Sequence, residues 1–271
     1  MIPRRALFVL TCLCAGCGSC DQTPQANTPG APAEPETGVV VGTVRLAEGA
    51  ELPAYPLDTT ARPAPPEGCT PPRQRDGQPV RLGEGRGLAG VLVAAAEFSR
   101  APSHQPVAHR VAIRNCRLEP QLVAATRGDR IELVNETDYP YMPTLGPGGL
   151  LQALLHGETR ELPLDTGRIH VLGCAFLAPC GRTDVIVLSH DVFAVTGGGG
   201  RFRLERVPTG ESLEIHAWHP LFEEASATVT VRSGEEPTRV DLVLGPAPSR
   251  PEPPPPEPSE GPAEDHPDEL F

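Results

Sequence analysis

Eight cysteines and eight histidines are the residues of this 271-residue chain with the most chemistry to offer, and they are unevenly spread. Cys12, Cys14, Cys17 and Cys20 crowd the N-terminus, whereas Cys69, Cys116, Cys174 and Cys180 are dispersed through the body. Thiolates and imidazoles together hold soft metals, and thiols pair as disulfides in an oxidising compartment. Ile215-His216-Ala217-Trp218-His219-Pro220 contains a His-x-x-His spacing. On a strand those two rings point to opposite faces, so joint ligation is not expected. His190 and His219 are expected to hydrogen-bond loop backbone, while His104, His109 and His156 carry no legible signal. There is no Gly-x-Ser-x-Gly elbow, no His-Glu-x-x-His helix and no glycine fingerprint between a strand and a helix. All 23 basic residues are arginine, which excludes a Schiff-base lysine, a Walker-type phosphate loop and a Ser-Lys dyad. The expectation is a protein that is not an enzyme. Gly197 to Gly200 suit a hairpin turn better than a phosphate, and Glu223-Glu224 and Glu235-Glu236 read as solvated turn residues. Tyr139, Tyr141 and Trp218 could line a sugar or peptide surface or equally fill a core, since aromatics make up only 4% of the chain.

The elements that hold these residues begin with a segment that does not belong to a fold. Arg4 and Arg5 precede the apolar run Ala6-Leu7-Phe8-Val9-Leu10, which is too short to span a bilayer and reads as an export signal. It ends in Leu13-Cys14-Ala15-Gly16-Cys17, which resembles the lipobox of bacterial lipoproteins. That resemblance implies cleavage before Cys17 and acylation of its sulfur, with Cys20 as a second candidate. More than one acyl chain on one cysteine anchors stably where a single chain binds only marginally. The expected location is therefore the cell envelope, at the outer membrane or the periplasmic face, with membrane lipid as the first partner. Residues 18–37 read as a disordered tether. Residues 246–271, with Pro251-Glu252-Pro253-Pro254-Pro255-Pro256-Glu257-Pro258 and an acidic end, read as an extended tail or spacer. A net charge of -12 argues against a nucleic-acid partner. An envelope protein or a glycan remains open as a further partner.

Between tether and tail the chain alternates with period two in short runs: Val39-Val40-Val41-Gly42-Thr43-Val44, Val91-Leu92-Val93, Arg130-Ile131-Glu132-Leu133-Val134, Asp184-Val185-Ile186-Val187-Leu188, Arg201-Phe202-Arg203-Leu204 and Ser212-Leu213-Glu214-Ile215. Turn signals such as Arg127-Gly128-Asp129 and Val207-Pro208-Thr209-Gly210 separate them. Leu150-Leu151-Gln152-Ala153-Leu154-Leu155 has some helical look but is only six residues long. The expected fold is all-β, built as antiparallel Greek-key β-sandwiches.

Phe193-Ala194-Val195-Thr196, Gly200-Arg201-Phe202-Arg203-Leu204 and Val207-Pro208-Thr209-Gly210 resemble the carboxypeptidase regulatory-like (prealbumin-like) β-sandwich. Gly42-Thr43-Val44-Arg45-Leu46 and Leu88-Ala89-Gly90-Val91-Leu92-Val93 resemble its opening strands. The segment between resembles the plastocyanin-like cupredoxins, with Asn115-Cys116, Gly128-Asp129, Asn135 with Asp138, and Cys174 in the family's order. The resemblances imply opening strands and a Pro-rich loop over 38–106, a cupredoxin-like insertion over 107–188 and a closing sandwich segment over 189–245. They also imply copper held by two histidines, a cysteine and a methionine, because soft thiolate and imidazole ligands serve both copper oxidation states. Only Cys174 matches. Glu136-Thr137-Asp138-Tyr139-Pro140-Tyr141-Met142-Pro143 lacks the first histidine, Leu177 stands near the second, and Cys180 stands near the methionine. No cofactor is therefore expected; the alternative is copper bound by Cys174 and Cys180 with Met142 or His170.

For Cys69, Cys116, Cys174 and Cys180, export and parity favour disulfides, and three connectivities are possible. Cys174 with Cys180 would constrain the unfolded chain by roughly 2 kcal/mol and Cys69 with Cys116 by about 4 kcal/mol. The expected function is a non-catalytic, lipid-anchored envelope protein with a degenerate cupredoxin site and a structural or binding role. The alternatives are a copper-binding or electron-transfer protein with altered ligands and a carbohydrate- or peptidoglycan-binding module.

Overall fold

A computed structural model describes residues 34–55, 67, 78–146, 152–175, 179–234 and 236–247. The export signal, Cys17, Cys20, the tether up to residue 33, Cys69, Leu177 and the tail from residue 248 lie outside the described residues.

The strands are β1 (Thr37–Leu46), β2 (Arg81–Leu82), β3 (Leu88–Ala89), β4 (Leu92–Ala96), β5 (Ala108–Arg114), β6 (Arg117–Glu119), β7 (Leu122–Thr126), β8 (Arg130–Asn135), β9 (Pro143–Leu145), β10 (Thr159–Pro163), β11 (Ile169–Cys174), β12 (Arg182–Leu188), β13 (Phe193–Val195), β14 (Arg201–Pro208), β15 (Ser212–Trp218), β16 (Ala225–Thr230) and β17 (Thr238–Leu244). Among the described residues, helical geometry is confined to the single 3-10 turns Glu84–Arg86 and Gly198–Gly200. The chain is all-β.

Strands from both ends of the sequence make the first sandwich. A sheet ordered β14-β1-β17 faces one ordered β13-β4-β15-β16. Alternate positions of β1 (Val40, Val44, Leu46), β14 (Phe202, Leu204) and β15 (Leu213, Ile215) point inward and share one core with Val91, Val93, Leu242 and Leu244. β-Branched residues suit such pleated, half-buried surfaces, and period two puts the charged positions between them in solvent. The glycine run 197–200 turns the chain into β14 and also lies against the sandwich. Gly200 has φ +73°, and a Cβ there would stand 2.1 Å from the Val44 carbonyl oxygen, so only glycine fits. Residues 34–36, read from sequence as tether, are held: the Glu34 carboxylate accepts from the Ser103 amide (3.1 Å) and the Glu36 carbonyl from the Thr209 amide (3.0 Å).

β5 to β12 form a second sandwich, in which a sheet ordered β10-β8-β5-β6 faces one ordered β7-β12-β11-β9. Its core gathers Val111, Ile113, Leu118, Ile131, Leu133, Leu172, Val185 and Tyr141. Among the described residues most pairings are antiparallel, but β1 with β17, β5 with β8, and β7 with β12 run parallel. In each parallel pair the two strands are separated along the chain by at least one strand of the opposing sheet.

β7 and β12 are buried on both faces. Val123, Ala125, Val185 and Val187 face their own core, while Leu122, Ala124 and Ile186 meet Leu92 of the first sandwich, with Phe193 and Trp218 packed alongside. This third apolar cluster joins the sandwiches.

Candidate functional site

The end of the second sandwich where β8 and β11 finish is where the cupredoxin resemblance would put a metal. Asn135, fully buried at the end of β8, organises the loop that follows. Its Nδ2 donates to the carbonyls of Tyr139 (2.7 Å) and Leu154 (3.0 Å), and its Oδ1 accepts from the Thr137 amide (3.0 Å). Tyr141 and Leu154 exchange backbone hydrogen bonds, and the Tyr141 ring is fully buried in the core. Cys174 closes β11 opposite Pro143, and the Ala175 amide donates to the Met142 carbonyl (2.9 Å). The Cys174 sulfur is bonded to Cys180, with their Cα atoms 5.5 Å apart, and the Cys180 carbonyl accepts from the Leu118 amide (2.7 Å). Cys116 is also disulfide-bonded, and Cys69, its expected partner, lies outside the described residues.

The disulfide leaves no free thiolate on Cys174 or Cys180 at this end of the sandwich. A thiolate ligand needs a free sulfur, and both sulfurs at this end are joined to each other. His170 sits four residues before Cys174 on β11, about 13 Å along an extended strand. Its Nε2 lies 3.3 Å from the Thr166 carbonyl oxygen, at the far end of the sheet. Of the alternative set of Cys174, Cys180, Met142 and His170, the two cysteines are bonded to each other and His170 stands apart from them along β11. Among the described residues no three His, Cys, Asp or Glu side chains are grouped so as to hold a metal ion.

Two buried carboxylates instead mark the junction between the sandwiches. Asp129, 2% exposed, accepts at Oδ1 from His104 Nε2 (2.7 Å) and the Val107 amide (2.9 Å), and at Oδ2 from His109 Nε2 (2.8 Å) and the Thr126 amide (2.8 Å). Burial alone would raise this carboxyl, but the hydrogen bonds from His109, Val107, Thr126 and His104 outweigh it and hold the group at about 2. His104 turns its Nδ1 toward Asp191 Oδ2 (3.3 Å), which also accepts from Arg206 Nη1 (2.6 Å). Burial works against a charge on His104, yet its bonds to the two aspartates raise its pKa on balance. Asp129 belongs to the second sandwich and Arg206 to the first, so the chain of bonds ties them together.

The other carboxylate, Asp184 on β12, is 1% exposed. Tyr55 donates its hydroxyl to Oδ2 (2.6 Å), and Arg182 donates to Oδ1 through Nε (3.0 Å) and Nη2 (2.6 Å) while stacking 4.3 Å over the Tyr55 ring. Burial first, and then the charge and hydrogen bond of Asp184, raise the Tyr55 hydroxyl. His219 lies against Phe222 and Tyr55, and burial pushes its imidazole down to about 4, opposed by Asp184 and reinforced by Arg182.

Sequence reasoning found none of these convergences, although Asp129 stands in a recognised turn. His190 and His219 do bond loop backbone, each accepting at Nδ1 from the amide two residues on, Val192 (3.2 Å) and Leu221 (3.3 Å). His216 faces Glu214 (3.0 Å) and Glu224, away from His219. The aromatic residues do not form a shared platform: Tyr141 is core, Tyr139 packs on that core, and Trp218 lies in the inter-sandwich cluster.

No protein-family model and no curated protein matches the sequence. Solved structures similar to parts of the chain include a copper-containing nitrite reductase from Thermus scotoductus SA-01, at 19% identity and a TM-score of 0.27 over 35% of this chain and 25% of that one. A reduced amicyanin variant matches at 19% identity and a TM-score of 0.27, over 35% of this chain and 99% of that one. A purple cupredoxin from Nitrosopumilus maritimus matches at 17% identity and a TM-score of 0.26, over 29% of this chain and 98% of that one. The chain thus spans a quarter of the nitrite reductase, and each likeness covers about a third of the chain.

Proposed function

We propose that this chain is an exported, lipid-anchored protein of the cell envelope whose paired β-sandwiches serve as a non-catalytic, disulfide-braced binding scaffold. The observation that carries the reading is the Cys174–Cys180 disulfide, which occupies the sulfur that a cupredoxin-like sandwich would offer to copper. Disulfides persist outside the cytosol, which agrees with a signal ending at an acylated Cys17. The buried charges support the non-catalytic part. Asp129 and Asp184 spend their oxygens on four and three donors respectively, a use of these carboxylates that ties elements together and leaves neither poised as a general base.

The test uses the protein extracted from the envelope with its lipid in place. Thiols are titrated before and after reduction, copper is quantified, and the N-terminal peptide is weighed. The expected result is no free thiol at Cys174 or Cys180 before reduction, no stoichiometric copper and an acylated Cys17. Stoichiometric copper with an intense thiolate-to-copper band would overturn the scaffold reading, and an unmodified N-terminal peptide would overturn the anchor.

A further inference from the structure

We infer that the cleft between the two sandwiches binds an organic anion through a doubly charged oxygen group, either a phosphoryl group or a pair of carboxylates. The cleft has a volume of about 540 Å³, in the range of small-molecule sites. Its floor is the outer face of the β5–β6 hairpin. Val111 and Ile113 point into the core, so the alternate positions Arg110, Ala112 and Arg114 turn outward, and Arg117 and Glu119 of β6 follow the same alternation. The opposite side is closed by Arg81 of the two-stranded β2–β3 sheet and by Val195 of β13 in the first sandwich. Four arginines line this one cleft in a protein of net charge -12.

The arginine charge is not neutralised from within. Arg114 and Arg117 are direct register partners across the hairpin, an arrangement of like charges that is unfavourable without counter-charge. Glu136 accepts from Arg110 Nη2 (2.9 Å) and Arg114 Nη2 (2.8 Å) and so serves both. Glu119 lies 3.7 Å from Arg117 Nε, beyond hydrogen-bond reach, and that buried Nε has no acceptor. Arg81 has no carboxylate partner among the described residues. Four cations against two carboxylates leave an excess of two positive charges. In a cleft with low-dielectric walls that excess concentrates anions, and the guanidinium fork matches the oxygen spacing of phosphoryl and carboxylate groups. Ala112, Leu122 and Val195 offer apolar wall to the body that carries the anion.

The inference rests on the binding-scaffold reading, and the two fail separately because thiol and copper content do not involve the cleft. Titration calorimetry on the full lipidated protein, at constant ionic strength, uses inorganic phosphate and succinate as probes and chloride as the control. Saturable one-site binding of phosphate or succinate, with no saturation by chloride, is expected, and the tighter probe identifies the oxygen group. Arg117→Gln is expected to weaken binding at least tenfold. If Arg117→Gln melts at the wild-type temperature, its affinity decides the matter. If it does not, the exposed Arg81→Gln decides, with the same expected loss. Failure of both anions to saturate, or wild-type affinity in the deciding variant, would overturn the assignment.

Discussion

At the scale of single residues, the molecule spends its buried charge on joining elements. Asp129 accepts four hydrogen bonds from two stretches of chain, 104–109 and Thr126, so Asp129→Asn removes the charge that two histidines face and sets an amide against their N–H groups. Breaking one side of such a buried pair costs about 3 kcal/mol. Urea unfolding at pH 7 should show that loss, and a change below about 1 kcal/mol would mean that the cluster is slack. His219 makes a second prediction. Unfolded, its imidazole titrates near 6.5, whereas in the fold burial holds it at about 4. Between those values the unfolded chain takes the proton and the folded chain does not, so His219 contributes stability that is present above about 6.5 and lost as pH falls toward 4. Melting temperature should drop across that window and drop less in His219→Asn, which keeps an acceptor for the Leu221 amide. Parallel curves for the two proteins would assign the acid sensitivity elsewhere.

At the scale of elements, the turn from β11 to β12 shows how far sequence reading reaches. Compartment and parity predict disulfides among Cys69, Cys116, Cys174 and Cys180 and leave three connectivities open; the structure joins Cys174 to Cys180. Their six-residue separation closes a short loop, so replacing both with serine should cost roughly 2 kcal/mol in the chain-entropy picture. Equilibrium unfolding of the double variant measures it, with unreduced wild type as reference; no loss would show that the turn is fixed by packing alone. The strand at Asp184–Leu188 was legible as a strand but not as one buried on both faces. Alternation fails as a guide there because Val185 and Val187 meet one apolar surface and Ile186 another. Within the alternative copper set, His170 and Cys174 share a face of one strand, and the strand's own rise holds them about 13 Å apart.

At the scale of the whole molecule, the apolar cluster of Leu92, Leu122, Ala124 and Ile186, together with the His104–Asp191–Arg206 bonds, binds the two sandwiches. Calorimetry of the wild type should accordingly show one unfolding transition. Ile186→Ser puts an unpaired hydroxyl and a cavity into the cluster while leaving both main cores intact. Its expected cost is about 3 kcal/mol, and its expected signature is separation into two transitions. Two transitions already present in the wild type would mean that the junction carries little of the stability.

The sequence by itself determined what is carried by neighbours along the chain: the all-β class, the period-two faces of β1, β14 and β15, the glycine turn before β14, and a chain unable to use lysine chemistry. These follow from backbone alternation and residue type, which need no distant partner. Only the tertiary structure decided what depends on how strands cross between sheets: the three parallel pairings, the meeting of His104 and His109 on Asp129, the Tyr55–Arg182–Asp184 cluster, and the arginine cleft. Tyr55 and Asp184 are 129 residues apart, and Arg81 reaches the cleft from the β2–β3 sheet, outside the sandwich that carries Arg110 and Arg117. No local period records such encounters, because each is fixed by the packing of two separately patterned surfaces.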